Sequence, residues 1–170
     1  MDFLSFWNLG VYKDKLKDLD TNYWVDLLKK FSQNSSFSYL NNNGSHLTID
    51  YLIQIPEFKP LINEINYLIQ NQFQDPNLNI LDMWGNISSP LTQDNIHHHN
   101  DSSHKMSGVL YLQTPKNSGN IFFVNPGNLN LKSNFVPSSK DIILFPSYLP
   151  HYVGLNLSKK DRISIAFDIS

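Results

Sequence analysis

The run His97-His98-His99-Asn100-Asp101 has the residue types and the spacing of a metal site. On an extended strand, residues two positions apart point to the same face, so His99 and Asp101 would present an imidazole and a carboxylate side by side. A third ligand must come from elsewhere, and His151 is the best candidate because it follows the turn that Pro146 and Pro150 bracket. Two histidines and one carboxylate with open coordination positions are typical of non-haem Fe(II) sites.

The same alternation places His98 on the face opposite His97 and His99, so we expect His98 to be structural or exposed. An H-x-D pair by itself is more often a hydrogen-bonded pair at the surface than a metal site. The downstream His151 and Arg162 favour the metal site here.

The last segment, 162–169, alternates small or polar residues with apolar ones, as a strand with two different faces does. A guanidinium at Arg162 that points into a cavity needs an anion to offset its desolvation. With Ser164 two residues on, it is suited to binding a carboxylate, such as that of a dicarboxylate cosubstrate. The alternative is a surface Arg162 paired with Asp161 or Asp168.

Two helices and several short strands must position these residues. Apolar residues at helical spacing predict a first helix in the opening third, capped by Asp20 or Thr21, and a second from about Glu57 to Phe73. Short strands separated by turn residues then indicate a β-sandwich or jelly roll. The predicted strands are Asn79–Ile87, Lys105–Gln113, Asn120–Asn125, Asp141–Phe145, Tyr152–Asn156 and Arg162–Ile169.

Composition limits the classes of function. The chain has 170 residues, a formal net charge of -2 and no cysteine, so disulfides and thiolate metal sites are excluded. No run of Lys and Arg provides the basic surface that nucleic acid requires, and no apolar stretch is long enough to span a bilayer. We therefore expect a cytoplasmic protein with neither nucleic acid nor membrane as its partner.

Five stretches in the second half, from Trp84 to the end, together resemble Fe(II)- and 2-oxoglutarate-dependent oxygenases of marine phages and bacteria, which are relatives of the prolyl 4-hydroxylases. These stretches are His99-Asn100-Asp101, Ser107-Gly108-Val109-Leu110-Tyr111-Leu112, Ser118-Gly119-Asn120, Phe145-Pro146-Ser147-Tyr148-Leu149-Pro150-His151 and Arg162-Ile163-Ser164. The resemblance implies a mainly β (α+β) fold, a double-stranded β-helix or jelly roll with N-terminal helices packed outside. The chain length fits one domain, so we expect a single oxygenase domain over residues 1–170, with a helical support (1–77) and a β-helix core (78–170).

The resemblance further implies a role for each candidate residue. His99, Asp101 and His151 would hold Fe(II), and Arg162, assisted by Ser164, would bind the distal carboxylate of 2-oxoglutarate. Tyr111 resembles the tyrosine that contacts the same carboxylate, although a tyrosine in a strand is equally expected as core packing. The implied reaction is hydroxylation of an unactivated C–H bond, with peptidyl proline as the expected substrate, O2 as cosubstrate and ascorbate as a supporting reductant.

Two other functions fit parts of the pattern. A cupin-like module that binds a metal or a small molecule shares the jelly roll but does not oxidise, and it has no need of Arg162 and Ser164 facing the metal. Nucleic-acid demethylation by the same chemistry is disfavoured by the missing basic patch. Trp84 and Asn86 either face the cavity or belong to the core. The oligomeric state is not predicted.

Overall fold

The computed structural model describes residues 1–6, 9–34, 36, 38–40, 47–99, 103 and 105–170. Within these ranges the helices are α1 (Thr21–Ser32) and α2 (Lys59–Phe73). The strands are β1 (Asp2–Phe6), β2 (Leu9–Lys15), β3 (Ser38–Leu40), β4 (Leu47–Ile49), β5 (Ile80–Ser88), β6 (Met106–Gln113), β7 (Ile121–Asn125), β8 (Asn128–Phe135), β9 (Asp141–Pro146), β10 (His151–Val153) and β11 (Arg162–Ile169).

The strands form two antiparallel sheets that pack face to face. The major sheet has the order β1-β2-β9-β6-β11-β5-β4-β3, and the minor sheet has the order β10-β7-β8. Apolar side chains from both sheets, among them Tyr111, Ile121, Phe123 and Phe145, form one cluster between them. The helices cover the other face of the major sheet, where α1 and α2 contribute to the larger apolar core. This is the predicted jelly roll with helices outside.

Residues 91–99 run alongside β10 and widen the minor sheet. The Asp94 amide donates to the Val153 carbonyl at 2.9 Å, and His97 and His151 exchange two backbone hydrogen bonds, each of 2.9 Å. The His99 amide donates to the Ser147 carbonyl at 2.8 Å. Backbone pairing therefore carries the histidine run to the strand that begins at His151.

Both predicted helices are confirmed. Asp20 caps α1 by accepting hydrogen bonds from the amides of Asn22 at 3.1 Å and Tyr23 at 3.2 Å. The second helix begins at Lys59 rather than Glu57, because Pro56–Phe58 form a separate 3-10 turn. None of the helices in the described part of the chain is long and apolar enough to cross a membrane.

The predicted helical support over residues 1–77 contains strands as well as helices. In addition to the helices, this range includes β1 to β4, and β2 pairs with β9 so that the N-terminal part extends the major sheet. The strand β8 was missed too, although Leu129, Leu131 and Phe135 recur at period two, because its side chains are mostly exposed and its three asparagines are uncommon in strands. It forms a hairpin with the preceding strand β7 at the edge of the minor sheet.

Predicted strand positions in the second half agree more closely. For β5, β6, β7, β9 and β11 each predicted end lies within one residue of the observed end. The strand predicted at Tyr152–Asn156 is shorter and begins earlier, at His151–Val153.

Candidate metal and cosubstrate site

Three histidines converge at one end of a cavity between the two sheets. The ligand atoms of His97, His99 and His151 all lie within 4.8 Å of one another. His151 is only 4% exposed, whereas His99 is half-buried and His97 is exposed. Their mutual distances suit a common ion.

Hydrogen bonds fix the same ring nitrogen in each histidine. Nδ1 of His97 bonds the Asn95 carbonyl at 2.8 Å, and Nδ1 of His151 bonds the Leu149 carbonyl at 2.9 Å. Nδ1 of His99 lies 3.2 Å from the Asp168 carboxylate. Because these oxygens accept and never donate, each Nδ1 carries the hydrogen and each neutral ring keeps its lone pair on Nε2.

His151 is held in its neutral form. Burial, followed by the proximity of His97, lowers the pKa of His151 to about 3. A neutral imidazole is the form that binds a metal, so a proton does not compete for this ligand at neutral pH.

The predicted ligand Asp101 lies outside the described residues, so the structure tests only part of the predicted triad. Sequence reasoning missed His97 as a member of the cluster. The signal was present, because His97 precedes His99 by two residues and shares its face. His98 is exposed, as alternation predicts.

The Arg162 guanidinium is buried at the opposite end of the cavity and is only 2% exposed. Nη1 donates to the Ser118 carbonyl at 2.7 Å, and Nη2 donates to the Ser88 hydroxyl at 2.9 Å. Burial lowers its pKa. The alternative of a surface Arg162 paired with Asp161 or Asp168 is wrong, because the side chain is buried and no ion pair is found for it among the described residues.

Tyr111 and Ser164 stand beside this guanidinium. They are direct partners across the β6–β11 ladder, and both line the cavity. Tyr111 is 1% exposed, and its hydroxyl, like the Asn86 side-chain oxygen, is buried with no hydrogen-bond partner in the described part of the chain. Burial raises the pKa of Tyr111, so its hydroxyl stays protonated and is ready to donate.

These contacts suit a dicarboxylate bound beside a metal. Arg162 feels the charge of Asp94 in the same cavity, but a bound carboxylate would supply the hydrogen-bonded anion that it lacks and the acceptor that the Tyr111 hydroxyl lacks. The three imidazoles at the other end offer nitrogen donors to an iron ion. Trp84 and Asn86, which the sequence left between cavity and core, line the cavity, and the Trp84 ring stacks on His99 with a centroid distance of 5.4 Å.

Comparisons with solved structures agree with this fold. A prolyl-4-hydroxylase from Pseudomonas putida is 15% identical, with a TM-score of 0.66 over 95% of this chain and 92% of that chain. The viral collagen prolyl hydroxylase vCPH from Paramecium Bursaria Chlorella virus-1 is 16% identical, with a TM-score of 0.66 over 94% of each chain. The non-heme alpha ketoglutarate dependent epimerase SnoN from nogalamycin biosynthesis is 12% identical, with a TM-score of 0.78 over 95% of this chain and 78% of that chain.

The family assignment comes from the sequence itself. No curated protein matches the chain. A family model described as "Putative 2OG-Fe(II) oxygenase" matches residues 82–168, which span β5 to β11 and include His97, His99, His151 and Arg162. The match covers half of the chain and includes residues from both ends of the cavity. The chain belongs to the 2OG-Fe(II) oxygenase family.

Proposed function

We propose that this chain is an Fe(II)- and 2-oxoglutarate-dependent dioxygenase that hydroxylates an unactivated C–H bond and releases succinate and CO2. One observation carries the proposal. A single cavity has three converging imidazoles at one end, of which His151 is held neutral by burial, and a buried guanidinium without an ion-pair partner among the described residues at the other. A metal and a dicarboxylate that bind next to each other match these two ends.

Each site residue predicted from the sequence has a role in this proposal. His99, Asp101 and His151 hold the iron, which supplies the oxidative chemistry with O2 when bound. Arg162 and the Tyr111 hydroxyl bind the distal carboxylate of 2-oxoglutarate, and Ser164 lies next to them in the ladder. The protein residues orient the cosubstrate and exclude water, and ascorbate supports turnover from solution.

Peptidyl proline is the substrate that we propose. Two of the similar structures are prolyl hydroxylases, which supports this substrate class. The partner is then a protein or peptide segment that enters the cavity beside Trp84 and His99. All of residues 1–170 serve as one oxygenase domain in this proposal.

The first experiment is an anaerobic titration of the apo protein with Fe(II) and then with 2-oxoglutarate, followed by visible absorption. We expect a weak charge-transfer band that appears only with both ligands. The band should be lost in His151→Ala and Asp101→Ala and retained in His98→Ala, a matched control because His98 is exposed in the same run. Iron binding with no dependence on 2-oxoglutarate would replace this proposal with the cupin-like binding module.

The substrate is tested separately, by succinate release with Fe(II), ascorbate and O2. Peptides that contain proline should raise succinate release above the uncoupled rate, and the same peptides with alanine at that position should not. Equal stimulation by both peptides would leave the oxygenase proposal intact and reject proline as the target.

A further inference from the structure

The three clustered histidines differ in what holds them. His97 and His151 each bond the backbone carbonyl two residues earlier, at Asn95 and Leu149, which is a contact within their own segment of chain. His99 instead bonds a side chain, the carboxylate of Asp168, which lies 69 residues away in the sequence. A tertiary contact therefore decides which way the His99 ring points.

Asp168 is a buried carboxylate whose two oxygens contact Ser107 and His99. It is 3% exposed, near the end of β11, and it lies directly opposite Ser107 of β6 in the ladder. Its Oδ1 accepts a hydrogen bond from the Ser107 hydroxyl at 2.5 Å, and its Oδ2 lies 3.2 Å from Nδ1 of His99. The Ser107 bond fixes one oxygen, and the other is thereby aimed at the histidine.

We propose that Asp168 is a positioning residue for His99: it fixes the Nδ1–H tautomer and the ring orientation that present Nε2 to the metal. Its negative charge also makes Nε2 a stronger donor. This inference rests on the proposed function, in which His99 is a metal ligand. Without Asp168, the ring is free to rotate or to carry its hydrogen on Nε2, and in that tautomer Nε2 cannot bind a metal.

The inward face of β11 then serves both ends of the cavity. Arg162 and Ser164 lie at the cosubstrate end and Asp168 reaches the metal end, while the small Ala166 lies between them and lines the cavity. The small side chains leave room for a ligand between the two charged ones. One strand thus sets the spacing between the carboxylate-binding group and a metal ligand.

The test compares Asp168→Ala and Asp168→Asn with Asp141→Ala. Asp141 is a matched control, because it is 1% exposed and accepts the Ser138 amide at 2.7 Å, yet it does not line the cavity. Two quantities are measured: the tautomer of each histidine in the apo protein, by 1H–15N correlation spectra of 15N-histidine-labelled protein, and the anaerobic affinity for Fe(II).

In Asp168→Ala we expect His99 to lose its Nδ1–H tautomer and Fe(II) affinity to fall about 10- to 100-fold. In Asp168→Asn the amide oxygen still accepts from His99 and its NH2 group donates to Ser107, so the tautomer stays and affinity falls by a smaller factor. Asp141→Ala should lower stability and leave both quantities unchanged.

An unchanged tautomer in Asp168→Ala, or an unchanged Fe(II) affinity in both variants, overturns the inference. If Asp168→Ala does not fold, the Fe(II) affinity of Asp168→Asn is the test. An affinity in Asp168→Asn equal to that of the wild type rejects the role of the negative charge. Failure of the wild type to bind Fe(II) and 2-oxoglutarate rejects the proposed function instead, and the apo tautomer still tests whether Asp168 positions His99.

Discussion

The two ends of the cavity contain buried groups of opposite charge, and these groups differ in their hydrogen-bond partners. At the cosubstrate end the hydrogen bonds of the buried cation Arg162 all go to neutral acceptors, the Ser118 and Gly154 carbonyls and the Ser88 hydroxyl, and the Asp94 carboxylate, which lines the same cavity, attracts it without an ion pair among the described residues. At the histidine end the buried anion Asp168 already has two donors, His99 and Ser107.

This difference indicates which ligand each end binds. A buried guanidinium whose hydrogen bonds all go to neutral dipoles, with Asp94 acting only through its charge, still lacks a hydrogen-bonded anion, so an anionic ligand gains from both the charge and the bidentate geometry. A carboxylate that is already satisfied does not attract the metal directly, and acts through the histidine that it orients. At the cosubstrate end Arg162 still lacks a hydrogen-bonded anion before the ligand binds. At the histidine end the hydrogen bonds of Asp168 are already made.

The largest expected effect comes from removing the cation at the cosubstrate end. In Arg162→Leu we expect 2-oxoglutarate affinity to fall about 100-fold, because two charge-assisted hydrogen bonds contribute about 3 kcal/mol together. Fe(II) affinity without 2-oxoglutarate should not change. Isothermal titration of the two ligands in turn measures both.

Arg162→Lys is the matched variant, since it keeps the charge and loses the planar fork. It should restore part of the 2-oxoglutarate affinity. An equal loss of Fe(II) and 2-oxoglutarate affinity in Arg162→Leu would mean that the two ends are not separate.

A smaller effect is expected from the loop that holds the guanidinium. Gly119 has φ +95, and a Cβ there would lie 2.9 Å from Nη1 of Arg162 and even closer to the Gly154 carbonyl oxygen. In Gly119→Ala we expect the free energy of unfolding to fall by about 1–3 kcal/mol, with weaker 2-oxoglutarate binding because Arg162 is displaced. Thermal unfolding and ligand titration measure these changes.

Gly127→Ala is the control for this backbone effect. Its Cβ would meet only the Asn125 side chain at 3.4 Å, in the turn between β7 and β8. Stability and cosubstrate affinity should stay near the wild type. Equal losses in the two glycine variants would contradict a specific role for the Gly119 turn.

The smallest expected effect is that of removing the Tyr111 hydroxyl, which should change ligand affinity and stability in different directions. Tyr111→Phe removes a buried hydroxyl that has no partner in the described part of the chain, so the apo protein should be as stable as the wild type or more stable. The affinity for 2-oxoglutarate should fall about fivefold, which corresponds to about 1 kcal/mol for one hydrogen bond. Denaturant unfolding and titration should therefore change in different directions.

Tyr152→Phe provides the comparison, because the Tyr152 ring stacks on Phe122 and does not line the cavity. It should leave 2-oxoglutarate affinity unchanged. If Tyr111→Phe destabilises the apo protein and binds 2-oxoglutarate as the wild type does, the hydroxyl serves the core and not the cosubstrate.

Much of the β-core could be predicted because side-chain alternation is a local property. In β11 the pattern of Arg162, Ser164, Ala166 and Asp168 against four apolar residues predicted which side chains face inward, and they do line or approach the cavity. The helices were predictable for the same reason, from apolar spacing and from the cap at Asp20. The edge strand β8 has Leu129, Leu131 and Phe135 at period two as well, but its asparagines, which are uncommon in strands, obscured the pattern.

The sequence by itself determined the strand periods, the shared face of His97 and His99, and the exclusion of cysteine chemistry. Only the tertiary structure decided that Asp168 pairs with His99 rather than with Arg162, and that the Ser118 and Gly154 carbonyls and Ser88 surround the guanidinium. The physical reason is that the side of a strand on which a side chain lies is set by the two-residue period of the strand itself. Pairing depends on which strands meet across the sheets, and the burial that lowers the pKa of His151 exists only after they meet.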